Sequence, residues 1–146
     1  MKKIGLLLTL LAVFANAEFV RTEKGTVKDT VTNLEWQDSY KDKDGNEADV
    51  YTTYFTNAIN YCHDLDLDGK GWRLPNINEL KTLIVDTQYA PAIDKAFKKV
   101  GDAEYWSSTT IQDHNNNAYC VHFNSGYLNF YNKGHDLYVR CVRGGE

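Results

Sequence analysis

The ten residues Gly71-Trp72-Arg73-Leu74-Pro75-Asn76-Ile77-Asn78-Glu79-Leu80 constrain this chain more than any other stretch. Pro75 disfavours helical geometry at Leu74, so the extended segment cannot turn helical before it. Asn76 then stands three residues before Glu79, the spacing of a capping box. The Asn76 side chain accepts from the Glu79 amide, and the Glu79 carboxylate reaches back to the Asn76 amide. A helix is therefore expected from about residue 76 to 85, with Ile77, Leu80, Leu83 and Ile84 on its buried face. Trp72, Arg73, Pro75, Asn76 and Glu79 read as structural residues of this junction, which fixes how a fold is joined and names no ligand.

The first residues read as an export signal. Lys2 and Lys3 precede an apolar run over residues 4–14, and Ala15-Asn16-Ala17 has the small-residue cleavage pattern. The run is shorter than the ~20 residues that a membrane span needs. The expectation is a cleaved signal over residues 1–17 and one domain over residues 18–146, periplasmic or secreted, with no stable membrane anchor. The chain carries 20 acidic against 16 basic residues, a formal charge of −4. Lys95, Lys98 and Lys99 form its one basic cluster, which argues against a nucleic-acid partner. Cys62, Cys120 and Cys141 are an odd set for an oxidising compartment, so one thiol is left over.

Along the mature chain, residues 19–22, 26–28 and 34–36 read as short strands with turns at Gly25 and Asn33. Residues 38–49 are polar and acidic and read as an exposed loop. A first helix is expected over residues 53–64, because Phe55, Ala58, Ile59, Cys62 and Leu65 form one apolar stripe. Ile93, Phe97 and Val100 suggest a short third helix. Tyr105-Trp106-Ser107-Ser108-Thr109 reads as a strand. Residues 118–123, 127–131 and 138–142 read as a three-stranded antiparallel meander. The order of elements predicts an α+β architecture.

Five ordered blocks resemble a known family. They are Gly25-Thr26-Val27-Lys28-Asp29 with Asn33-Leu34-Glu35-Trp36-Gln37-Asp38; Ala58-Ile59-Asn60-Tyr61-Cys62; Gly71 to Leu80; Tyr105-Trp106-Ser107-Ser108-Thr109; and Tyr138-Val139-Arg140-Cys141-Val142-Arg143. The chain resembles the bacterial domain at the C-terminus of the Legionella collagen-like adhesin. That resemblance implies a C-type-lectin-like fold related to formylglycine-generating enzymes, with two main helices packed on a twisted antiparallel sheet. It implies a disulfide between Cys62 and Cys141, leaving Cys120 as a buried free thiol. A Cys120–Cys141 pairing across the meander stays open from the residues alone. The function implied is adhesion, or binding to an extracellular polymer such as a glycan. The alternatives are a periplasmic protein that binds another envelope protein, or an enzyme of the formylglycine-generating type.

Candidate chemistry is sparse. Asp64, Asp66 and Asp68 alternate ahead of Gly69 like the start of a calcium loop, making calcium the candidate cofactor. Pro75 stands where such a loop needs a bidentate Glu, so a solvated acidic turn is the simpler reading. The four histidines lack metal-ligand spacing, and no Gly-x-Ser-x-Gly elbow is present, so no catalytic residue is assigned. Tyr119, His122, Tyr127, Asn129 and Tyr131 are the candidate ligand-binding residues, since each of the rings pairs an apolar body with a polar tip. Trp36, Trp72 and Trp106 are assigned to the core.

Overall fold

A computed structural model of the chain describes residues 18–145. The proposed signal over residues 1–17 lies outside the described residues. Eleven short strands and two helices follow in order: β1 (Phe19–Arg21), β2 (Thr26–Asp29), β3 (Leu34–Gln37), β4 (Tyr40–Lys41), β5 (Glu47–Ala48), β6 (Thr52–Thr53), α1 (Phe55–Asp64), α2 (Ile77–Lys81), β7 (Glu104–Ile111), β8 (His114–His122), β9 (Tyr127–Asn132), β10 (Leu137–Tyr138) and β11 (Val142–Gly144). They form a four-stranded sheet, β1-β2-β3-β11, a five-stranded sheet, β6-β10-β7-β8-β9, and the small hairpin β4-β5.

The α+β expectation of a C-type-lectin-like body, with two main helices on one sheet, is overturned. Among the described residues the protein is mostly β, and the two helices span only 10 and 5 residues. α2 begins at the capping box but ends early. The Thr82 hydroxyl bonds back to the Glu79 carbonyl at 2.7 Å, and Ile84 leaves to bridge Ile93. The third helix does not form, because its backbone groups are spent on tertiary partners. Asp38 accepts the Lys98 and Lys99 amides, and Arg140 takes the Lys99 carbonyl. Within α1, Phe55, Ala58 and Cys62 are buried, whereas Ile59 is left exposed.

The expected meander is also corrected. β7, β8 and β9 do form an antiparallel meander, but the third expected run does not lie beside β9. β10 slots between β6 and β7, parallel to β7. The chain then crosses through Val139-Arg140-Cys141, all fully buried, and β11 closes the other sheet against β3. Pattern alone cannot tell one long strand from two short ones that change sheets.

Alternation along these strands feeds two apolar clusters. Tyr105, Val121 and Val142 join the one under α2, built around Trp36, Leu80 and Phe123. Their neighbours Trp106, Cys120 and Cys141 join the one under α1, with Phe55, Trp72 and Leu74. Trp36, Trp72 and Trp106 are all buried. Cys62 of α1 is bonded to Cys141, and Cys120 is the free, buried cysteine.

Residues 38–49 were expected as an exposed loop, and this too is corrected. Asp38 and Tyr40 are buried, and β4 pairs with β5 across the turn that Asp42 organises. Gly25 makes this entry feasible: its φ is +79°, and a Cβ there would lie 2.5 Å from that of Ser39. Asp38 meets Arg140 at 2.9 Å, and both side chains are 0% exposed. Asp38 also pairs with Arg21. Arg140 donates to the Gln37 carbonyl at 2.6 Å and lies over the Phe97 ring at 4.6 Å.

Asp38→Asn should cost about 3–5 kcal/mol, because it leaves the Arg140 guanidinium buried without its carboxylate. Arg140→Met should cost less, because Asp38 keeps Arg21 and two backbone amides. The double variant should lose less than the sum of the two. Urea unfolding midpoints of the three variants check this; losses near those of surface substitutions would show that the pair contributes little.

Candidate functional site

The exposed part of the β7–β8–β9 sheet carries most of the candidate binding residues. Its register sets Glu104 opposite His122, His122 opposite Tyr127, Cys120 opposite Asn129, and Ala118 opposite Tyr131. Alternation therefore gathers Glu104, His122, Tyr127, Asn129 and Tyr131 on one face. Tyr119 does not join them. It pairs with Phe130 and belongs to the opposite face, with Val121 and Leu128.

Glu104 is the hub of this face. The Tyr131 hydroxyl donates to its Oε1 at 3.2 Å, and the Asn129 amide nitrogen lies 3.5 Å from the same oxygen. Repulsion from that carboxylate raises the Tyr131 phenol above its ordinary value, and the hydrogen bond to Glu104 adds to the effect. The His135 ring lies 5.4 Å from that of Tyr131. His122 Nδ1 accepts the Asn124 amide at 3.2 Å, which leaves Nε2 to carry the ring proton. Tyr127, at the start of the edge strand, is 74% exposed. Ring faces, amide groups and one carboxylate make a surface suited to hydrogen bonding and stacking.

The Trp-Arg-Leu-Pro junction supports the molecule from another side. Arg73 grips Glu79 with two bonds of 2.7 Å, while Glu79 and Asn76 complete the capping box. Burial pushes the Glu79 carboxyl up, but the bonds from Arg73 and the Asn76 amide outweigh it and hold it below its ordinary value. The Arg73 backbone bridges Val142, and the Pro75 carbonyl accepts the Ser108 amide at 2.7 Å. Trp106 donates its indole N–H to the Thr53 carbonyl at 2.9 Å. The junction thus ties α2 to both sheets.

A family model described as the Lcl C-terminal domain matches residues 25–143, from just before β2 into β11. The chain belongs to the Lcl C-terminal domain family. No curated protein matches it.

In this Lcl C-terminal domain the three aspartates of the candidate calcium loop face different partners. Asp64 lies 3.0 Å from His63, Asp66 lies 3.7 Å from Lys70, and Asp68 lies 2.5 Å from Lys24. The carbonyls of the loop are committed as well. Trp72 donates to those of Leu67 and Gly69, and Arg143 to that of Asp68. Arg143 also stacks over the Trp72 ring at 4.5 Å. Among the described residues, no three His, Cys, Asp or Glu side chains are grouped to hold a metal. The Leu67 and Gly69 carbonyls seat the Trp72 indole.

Cys120 lies beneath the polar face. Burial, with a smaller contribution from Glu104, pushes its thiol up to about 12. It is therefore a neutral thiol at physiological pH and a poor nucleophile. Sequence reasoning missed Glu104, although one signal was available. It is a lone charge two residues before Trp106, at the strand position whose side chain shares the Trp106 face.

In the folded Lcl C-terminal domain, Cys120 should resist iodoacetamide at pH 8 and react fully only after unfolding. Its ionisation is deferred in the folded state, so the stability that it contributes is complete below its ordinary value of 9.0 and is lost as the pH rises toward about 12. Mass spectrometry of alkylated peptides across that range reads both effects.

Proposed function

We propose that this protein is an exported, non-catalytic recognition module that binds a glycan on an extracellular polymer. The observation that carries the reading is the face around Glu104, where Tyr127 is exposed and Asn129 and Tyr131 are held in place by the Glu104 carboxylate. Tyrosine supplies contact area at low entropic cost, and amide groups supply adaptable hydrogen bonds. The Cys62–Cys141 disulfide and the N-terminal export pattern support action in the periplasm or outside the cell. A raised thiol at Cys120 supports recognition over chemistry of the formylglycine-generating type.

A second reading, docking of an envelope protein, is favoured by one further observation. The other side of β9 leaves Leu128 47% and Phe130 55% exposed, on an uncharged strand at the edge of the sheet. Such edges accept an added strand from a partner.

On a glycan array, the purified protein should give a signal that persists in EDTA, since the loop aspartates are not grouped with one another among the described residues. Tyr127→Ala with Tyr131→Ala should weaken binding by about tenfold, the loss of one to two kcal/mol of stacking and hydrogen bonding. A silent array together with a co-purifying envelope protein would decide for the second reading.

A further inference from the structure

Away from the β9 face, a groove of about 470 Å³ runs between the segment entering β6 and the outer side of α1, lined chiefly by Tyr51, Asn57, Asn60, Tyr61, Asp64 and Asp66. Asn57, Asn60, Tyr61 and Asp64 fall at i, i+3, i+4 and i+7, so the helix presents them as one stripe. The Tyr51 and Tyr61 rings stack at 4.2 Å with their planes 18° apart, forming an aromatic wall beside that stripe.

The Tyr61 ring and the Tyr51 backbone are held from behind. The Tyr61 hydroxyl accepts from Gln37 Nε2 at 2.7 Å, and the Tyr51 carbonyl accepts the Val139 amide at 2.9 Å. The neighbouring Cys62 is bonded to Cys141, so α1 cannot drift from this wall. A ligand meeting such a surface loses little in ordering it.

The chemistry of the groove selects its occupant. A pyranose has an apolar C–H face that suits a tyrosine ring, and a rim of hydroxyls that both donate and accept. Asn57 and Asn60 each supply a donor and an acceptor from exposed side chains, and Asp64 supplies further acceptors. The ionised groups lining the groove are Asp64 and Asp66, and Lys70, 3.7 Å from Asp66, stands outside the lining, so the groove itself presents negative charge. A sulfated or uronate-bearing sugar would be repelled there. We propose that this groove is a saccharide subsite for a non-anionic pyranose unit with adjacent hydroxyls, separate from the β9 face. It rests on the reading of the protein as a glycan-recognition module.

The test uses an array of neutral, amino-bearing and sulfated glycans, then titration calorimetry with the best short oligosaccharide. The probed proteins are the wild type, Asn57→Ala with Asn60→Ala, and Tyr127→Ala with Tyr131→Ala. The alanines sit on an exposed helix face and favour the helix, so they leave folding intact, as an unchanged urea midpoint would verify. The expected result is binding of non-anionic glycans by the wild type and a loss of about tenfold or more in the asparagine variant, from two missing hydrogen bonds. If the wild type binds only sulfated or uronate glycans, or if the asparagine variant binds as tightly as the wild type, the subsite is overturned while the glycan reading stands. If no glycan binds, both fall.

Discussion

The buried ion pair between Asp38 and Arg140 is the contact on which the rest of the architecture depends. Its partners lie 102 residues apart, at the end of the first sheet and in the segment that passes between sheets. A guanidinium cannot shed its proton at any working pH, so the interior must supply a counter-charge and acceptors. It does so by drawing in Asp38, the Gln37 carbonyl and the Lys99 carbonyl. Asp38 in turn collects Arg21 and two backbone amides. The irregular stretch before β7 is organised by these bonds in place of helical ones.

The crossing at Val139-Arg140-Cys141 concentrates several such ties in three residues. Val139 bonds Tyr51, Arg140 bonds Asp38, and Cys141 is joined both to Gln37 and to Cys62. Gln37 deserves equal weight: it holds Cys141 with its oxygen and the Tyr61 hydroxyl with its nitrogen. The interior thereby fixes the outward stripe of α1 through atoms that no ligand touches. Along β7 and β9, Glu104 plays a comparable part for Tyr131 and Asn129. Surfaces with recognition chemistry are thus anchored to different parts of one rigid frame.

Much of the local structure was legible in the sequence. The first three strands followed from β-branched and aromatic runs between turn residues, and the start of α2 followed from Pro75, Asn76 and Glu79. What stayed hidden was set by partners far away in the chain. Asp38 reads as solvated until Arg140 is placed beside it, and residues 93–100 read as helical until their amides are claimed by Asp38. The split of residues 138–142 between two sheets leaves no mark in a two-residue period. At the surface, the register of β8 and β9 brings His122, Tyr127, Asn129 and Tyr131 to one face and sets Tyr119 on the other. The pairing of Tyr51 with Tyr61 depends on tertiary placement, which spacing does not encode.

The leftover thiol has a consequence for how the covalent link survives. Cys120 shares an apolar cluster with Cys62 and Cys141, so the free thiol and the crosslink belong to one interior. Exchange proceeds through a thiolate, and its rate scales with the fraction ionised. By keeping that sulfur buried and near a carboxylate, the fold suppresses the thiolate through which exchange would run.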